Sequence, residues 1–444
     1  MAFDLGTSYF KIGLFNQRCE LKLLESLPVP LSSSSDERAE IDVATFRDCI
    51  SGAVRSLRRQ AGGFDAVRAV SFASQANSFA LFDRASEPIT PFILWSDGRA
   101  RSERTLLDEL PNISKFYETT GVAQLSHLFL PAKIAWLQRN EPRTVKATAR
   151  IGLISDYFTW WLTGNWYTEA SVAGLTSLAN IHTLEWWQDA CSSAKIRTDQ
   201  LSRIVRAGTP AGTIRQKLAR EWGLHEKCEL IVGCLDQFAG AIGVGNVLPG
   251  VVSETTGTVL ATIRCAHDFD PHPNPGVFQG PGFRQGIYYQ MVFGELSAGI
   301  LERYRKSKAP DMTFAQLDQL AASVPPGAEG LKLRTDAFHR PVEEFFEGRT
   351  AQHARPHEVR AIFEAIAEES CRQVRLLTGG IRPQRIVTGG GAARSKLWLK
   401  IKSDALGCPF VTLDCEETAC RGAALLALSG ISGVPVEKLG TAED

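Results

Sequence analysis

The chain has 444 residues, of which 44% are hydrophobic and 22% charged, and its 49 basic side chains balance its 49 acidic ones. A chain of this size buries more than one core, so two or three domains are expected, and a zero net charge supplies no global field to draw in nucleic acid or an anionic membrane. No long uncharged apolar run is present and "MAFDLGTSYF" lacks the basic region and apolar core of a secretion signal, so no membrane and no nucleic acid are expected as partners, and the cytoplasm is the expected location.

Taken in chain order, the pattern alternates strand and helix. "KIGLF" (11–15) and "AVSFAS" (69–74) read as short strands, and "VATFRDCISGAVRSLRRQAG" (43–62) has apolar residues at helical spacing before a closing glycine. "RTLLDEL" (104–110) and "LPAKIAWLQRNEP" (130–142) read as helices, the second ending before Pro142. "LISDYFTWWLTG" (153–164) reads as an amphipathic helix stopped at Gly164. The turn-rich "NVLPGVV" (246–252) separates two half-chains that each return to strand patterns, so the expected domains are 1–245 and 246–444. Helices are expected in "SAGILERYRKS" (297–307), "EVRAIFEAIAEESCRQVRLLTGG" (358–380) and "RSKLWLKIKSDALGCP" (394–409), with "RIVTGGG" (385–391) as a strand entering a glycine turn. An α/β fold class follows. The ten cysteines form no C-x-x-C pair and have no His-rich neighbour at zinc spacing, which fits reduced thiols.

Two stretches resemble each other. "FDLGTSYFKIGLF" (3–15) and "SETTGTVLATI" (253–263) both pass from an extended segment through Gly beside Thr or Ser and back into β-branched and apolar residues. Each reads as a hairpin with a small hydroxylic tip, whose backbone N–H groups and hydroxyls suit closely approaching phosphate oxygens, although the same residues are ordinary turn chemistry. Asp4, just before the first tip, suits a carboxylate that helps hold Mg²⁺ beside a triphosphate. A third glycine cluster, "TGGGAARSKLW" (388–398), matches neither G-x-G-x-x-G nor G-x-x-x-x-G-K-[ST] and offers side-chain-free backbone to a purine. In "LIVGCLDQFAGAIGVG" (230–245) a single acid, Asp236, stands where an apolar strand meets glycines and alanines. An N-cap for the following helix is one reading of it, and Ala239, Gly240 and Gly243 give that helix a small-residue face for close packing.

The chain resembles the FGGY carbohydrate kinases of the actin-like and sugar-kinase ATPase superfamily. Six ordered motifs carry the resemblance: "DLGTS" (4–8), "LWSDGRA" (94–100), "KIAWLQRNEP" (133–142), "ISDYFTWWLTG" (154–164), "GCLDQFAGAIG" (233–243) and "GGGAARSKLWLKIKSDALGCP" (389–409). The resemblance implies two actin-like (ribonuclease H-like) domains around an interdomain cleft, and an enzyme that phosphorylates a small sugar or polyol with ATP and Mg²⁺. It makes Asp236 the catalytic base, accepting the proton of the sugar hydroxyl that attacks the γ-phosphorus. It places Gly6, Thr7 and Ser8 in a first phosphate loop with Lys11 nearby, Thr256, Gly257 and Thr258 in a second, and Gly390, Gly391 and Ser395 along the nucleotide pocket. Asp4 is then the metal-side carboxylate. Gln75, Asn77, Trp95, Asp97 and Gln237 are the sugar-binding candidates. Lys11 reads equally as an exposed strand position, and Asp97 also as a turn residue in "SDGR".

This sequence departs from particular members. Glycerol kinases carry an Arg-Glu pair where Ala76 and Asn77 stand and an aromatic hydroxyl where Leu128 stands, which disfavours glycerol. "WSDGR" looks more like xylulokinase, yet that group's Met-His pair is missing at 76–77. "LRTDAFHRPVEEFFEGR" (333–349) replaces the family's usual Gly-x-Arg-Thr-Pro stretch by a shorter form. The expected substrate is a ketose such as a ketopentose. The alternative is a non-catalytic nucleotide- or sugar-sensing protein that keeps the kinase fold. A sugar and ATP are the expected partners, and a homodimer is admitted.

Overall fold

The computed structural model describes every residue except 35, 36, 257, 258, 414, 416 and 441–444. The chain packs as two compact units, the first made of Met1–Gly243, His267–Tyr289 and Ala419–Asp444, the second of Val244–Ala266 and Gln290–Thr418. The first crossing, after Gly243, falls beside the expected boundary, and two later segments return to the first unit.

The first unit opens with an antiparallel hairpin, β1 (Ala2–Leu5) and β2 (Tyr9–Phe15), to which β3 (Leu21–Pro28) adds antiparallel. Helix α1 (Val43–Ala61) follows; the Asp42 side chain accepts the Thr45 N–H at 2.8 Å and Gly62, at φ 72°, ends it, as the apolar spacing and closing glycine predict. Strand β4 (Ala69–Ser74) lies parallel to β1. After α2 (Leu130–Asn140) and α3 (Ile154–Thr163), the latter stopped by Gly164, come β5 (Pro210–Thr213), β6 (Glu229–Ile231), β7 (Cys234–Leu235) and α4 (Asp236–Gly243). The sheet order is β5–β6–β4–β1–β2–β3, with β7 also paired to β4. Strands β1, β6 and β7 are all parallel to β4. Aromatic rings fill the layer between sheet and helices: Phe3 of β1 meets Phe158 of α3 at 5.0 Å, and Phe10 of β2 meets Phe46 of α1 edge-on at 5.5 Å. Each such pair contributes about 0.5–1.5 kcal/mol beyond the area it buries.

The second unit repeats this plan. It contains β8 (Val252–Thr256), β9 (Leu260–Ala266), β10 (Tyr288–Gly294) from Gln290 onward, α5 (Ala298–Lys308), α6 (Arg355–Thr378), β11 (Ile386–Gly389), α7 (Lys396–Leu406) and β12 (Phe410–Thr412). Five strands of a six-stranded sheet run β10–β9–β8–β11–β12, with β8 antiparallel to β9, parallel to β11, and β11 parallel to β12. The order matches β3–β2–β1–β4–β6 of the first unit, so the sequence similarity between the two hairpins marks a repeated topology. Glu254 of β8 is fully buried, accepts a hydrogen bond from Ser370 of α6 and pairs with Lys402 of α7. That pairing keeps both charges compensated in the core and ties the strand to two helices. The last long helix, α8 (Thr418–Ser432), leads back into the first unit. Among the described residues no helix is long and apolar enough to cross a membrane, and all ten cysteines are free thiols.

Candidate active site

Three parallel strands of the first unit end at one level. Leu5 of β1 and Leu235 of β7 both pair with Ser74 of β4. Gly6, Gln75 and Asp236, the residues that follow, therefore stand in a row along the carboxyl edge, with about 10 Å, two strand spacings, between the outer strands. Open α/β sheets bind their ligands along this edge. Strand β7 can lie this close to β4 because residue 233 is glycine: a Cβ there would stand 1.5 Å from the Phe72 carbonyl oxygen.

Asp236 opens α4, and its Oδ1 accepts the neighbouring N–H of Gln237 at 2.7 Å. Both residues are partly exposed. Packing around the carboxyl pushes the Asp236 pKa up to about 6, against the opposing pull of the Gln237 N–H. Helix α4 is held from the other side by α8, where a Cβ on Gly422 would stand 1.8 Å from the Ala239 carbonyl oxygen, so a glycine of α8 is what admits this approach. Glu169, which the sequence reading missed, supports the same corner. Its Oε2 accepts the N–H groups of Ser171 and Val172 at 2.8 and 3.1 Å and the Ser171 hydroxyl, and that hydroxyl accepts the Leu235 N–H at 3.1 Å. Burial pushes Glu169 up to about 7 despite these bonds.

The first hairpin tip is held by a ring of hydrogen bonds. Gln75, buried, donates from Nε2 to the carbonyls of Leu5 and Gly6 at 3.2 and 3.0 Å, and its Oε1 accepts from Ser78 Oγ at 2.8 Å. Ser78 Oγ in turn accepts the Trp95 N–H at 2.8 Å, and the Trp95 indole donates to Thr7 Oγ1 at 2.7 Å. Ser8 is exposed at the tip. Asp4 and Lys11 face each other across β1 and β2, which puts opposite charges on one face of the hairpin; Lys11 is partly buried rather than an open strand position.

Two other sugar-binding candidates have their polar groups engaged within the unit. Asn77, at φ 60°, donates to the Leu175 carbonyl at 3.0 Å and accepts the Leu130 N–H at 2.9 Å. Asp97 is fully buried and accepts from Ala39 N, Arg99 N, Arg99 Nε and Arg99 Nη2 at 2.8, 3.1, 2.7 and 3.0 Å. Burial opposes ionisation of Asp97, but the Arg99 and Ala39 bonds outweigh it and hold its pKa below the ordinary value. Lys133 of α2, also missed, is fully buried and donates to the carbonyls of Leu94, Trp95 and Leu128 at 2.8, 2.7 and 2.8 Å. Burial drives its pKa well below the usual lysine value. Its signal was readable: position 133 shares a helical face with Leu130, Ile134 and Leu137, where a lone lysine needs acceptors.

In the second unit, Thr255 pairs with Gly389, so Thr256 and Gly390 follow one another across the carboxyl ends of β8 and β11. Gly390, at φ 85°, has the Thr256 carbonyl oxygen 3.5 Å from where a Cβ would stand. Thr256 Oγ1 accepts the N–H of Ala298, the first residue of α5, at 3.1 Å. Gly391 opens a short 3-10 turn, and Ser395 caps α7 by accepting the Trp398 N–H at 3.0 Å while donating to Asp318 at 2.8 Å. Gly257 and Thr258 lie outside the described residues.

Comparison with known proteins gives this arrangement its class. The chain superposes on a ligand-bound xylulose kinase from Lactobacillus acidophilus with a TM-score of 0.87 at 21% identity, over 99% of this chain and 92% of that one. The fold is thus the two-domain actin-like α/β fold of sugar kinases. The models of the N-terminal and C-terminal domains of the FGGY family of carbohydrate kinases match residues 1–243 and 301–431, and the chain belongs to that family. Relatives include a xylulose kinase of Lactococcus lactis, 27% identical over 97% of this chain and 87% of its own length, and a gluconokinase of Bacillus subtilis, 26% identical over 96% and 86%.

Proposed function

We propose that this carbohydrate kinase transfers the γ-phosphoryl group of ATP to a hydroxyl of a ketose, foremost a ketopentose, with Asp236 as the proton acceptor. The observation that carries the reading is the strand register that sets Asp236 beside Gly6 and Gln75 on one carboxyl edge. Phosphoryl transfer passes through a loose transition state in which the attacking alcohol becomes acidic only as the O–P bond forms. A carboxylate with a pKa of about 6 remains mostly ionised at neutral pH and accepts that proton more readily than an ordinary aspartate. The similarity to a xylulose kinase favours a ketopentose, and that to a gluconokinase keeps a sugar acid in the comparison.

In this reading Gly6, Thr7, Ser8 and Lys11 hold the phosphates, with Thr256, Gly257 and Thr258 as a second grip and Gly390, Gly391 and Ser395 beside the nucleotide. Trp95 and Gln237 meet the sugar, while Gln75, Asn77 and Asp97 shape the wall behind them. The sugar and base belong to 1–245 and the nucleotide to 246–444. The enzyme works in the cytoplasm. Asp4 suits Mg²⁺, which binds through one or two carboxylates and completes its shell with phosphate oxygens and water; among the described residues no cluster of three or more acidic, His or Cys side chains offers an all-protein cage. Bound there, the ion would offset phosphate charge.

A sensor that keeps the fold needs no raised-pKa acid at the edge of the sheet, and Asp236 argues against it. Incubating the protein with Mg-ATP and a panel of ketoses, polyols and sugar acids, with ADP release followed and the product read by phosphorus NMR, tests the reading. One ketose is expected to give ADP and a phosphate monoester together. Nucleotide binding with silence across the panel would favour the sensor.

A further inference from the structure

We infer that Trp95 is a positioning residue for the phosphate grip: its indole N–H fixes the Thr7 hydroxyl so that the hydroxyl proton is aimed at an anion. The inference rests on the kinase reading above. A threonine hydroxyl has one proton to give and two lone pairs to accept with, whereas an indole N–H only donates. With Trp95 Nε1 2.7 Å from Thr7 Oγ1, the shared hydrogen belongs to the indole, and the Thr7 proton must point to a different acceptor. A phosphate oxygen is such an acceptor, and a hydroxyl already polarised by an incoming hydrogen bond donates more strongly.

The geometry around the indole makes it a rigid crossbar. The backbone of Trp95 is pinned on both sides, its N–H by Ser78 Oγ at 2.8 Å and its carbonyl by the buried Lys133 ammonium at 2.7 Å. Ser78 leads on to Gln75, which holds the Leu5 and Gly6 carbonyls just before Thr7. The bonds therefore close a circuit from the hairpin tip through Trp95 and back. Lys133 sits in the apolar interior with three carbonyls as its bonded partners, a costly arrangement whose visible result is a fixed Trp95 segment. Trp95 itself is partly exposed, so the residue is within reach of a ligand.

Calorimetric titration of the full-length protein with Mg-ADP tests the link without needing turnover. Trp95→Phe keeps the ring and removes the donor; Thr7→Val removes the hydroxyl. Each is expected to weaken Mg-ADP binding about fivefold, the scale of one net hydrogen bond, and the double variant should be no weaker than Thr7→Val alone. In a Thr7→Ser background, which restores a hydroxyl, Trp95→Phe should again weaken binding. Effects that multiply in the double variant, or unchanged affinity in Trp95→Phe, would overturn the inference and leave the kinase reading standing. Wild-type protein that binds no Mg-ADP would overturn both.

Discussion

The carboxyl of Asp236 holds its proton more tightly than a solvated aspartate, because burial raises its pKa from 3.8 to about 6. Only the ionised form can accept the proton of the sugar hydroxyl, so activity should rise with pH and level off above that value. The pH profile of kcat/KM for the sugar, which reports the free enzyme, is expected to show an acid limb near pH 6. Glu169, at about 7, titrates close by. Replacing it with Gln separates the two: the limb stays near 6 if Asp236 is the base, and a limb that vanishes would transfer the role. Lys133 makes a different demand. Lys133→Ala takes the ammonium from the carbonyls of Leu94, Trp95 and Leu128, of which Leu94 keeps the Asp97 N–H, a loss of about 1–3 kcal/mol, which urea unfolding of the variant would register as a lowered midpoint.

At the scale of elements, Asp236 depends on how closely backbones approach. Gly233 lets β7 reach the register of β4, and Gly422 lets α8 lie against α4, the helix that Asp236 begins. Gly422→Ala is expected to push these helices apart and destabilise the protein by about 1–3 kcal/mol, with turnover falling further than nucleotide binding; unchanged stability and rate would show that α8 does not brace α4. The elements themselves were largely legible. The helix over 43–61, the stop at Gly164 and the twin hairpins follow from apolar period, capping residues and glycine placement, all local signals. Less legible was whatever depends on distant neighbours. Nothing in "WSDGR" announces that Asp97 spends its oxygens on Arg99 and Ala39, and nothing in "TEASVAG" marks Glu169 as the support behind residue 235. Return of 267–289 and 419–444 to the first unit is likewise a long-range packing outcome without a local pattern.

For the whole molecule, two units built on one strand order each carry, within their own sheet, an antiparallel hairpin and a later strand parallel to its first arm. That duplication is the fold of a family whose relatives include a xylulose kinase and a gluconokinase. The measurement that tests the account most directly is transfer of γ-labelled phosphate from ATP to the active sugar, by wild type and Asp236→Asn side by side, with Mg-ADP affinity measured on both. Equal affinity and a loss of turnover of about 10²–10⁴-fold, the range for a removed general base, are expected. Turnover near wild type in Asp236→Asn, at unchanged affinity, would contradict the account.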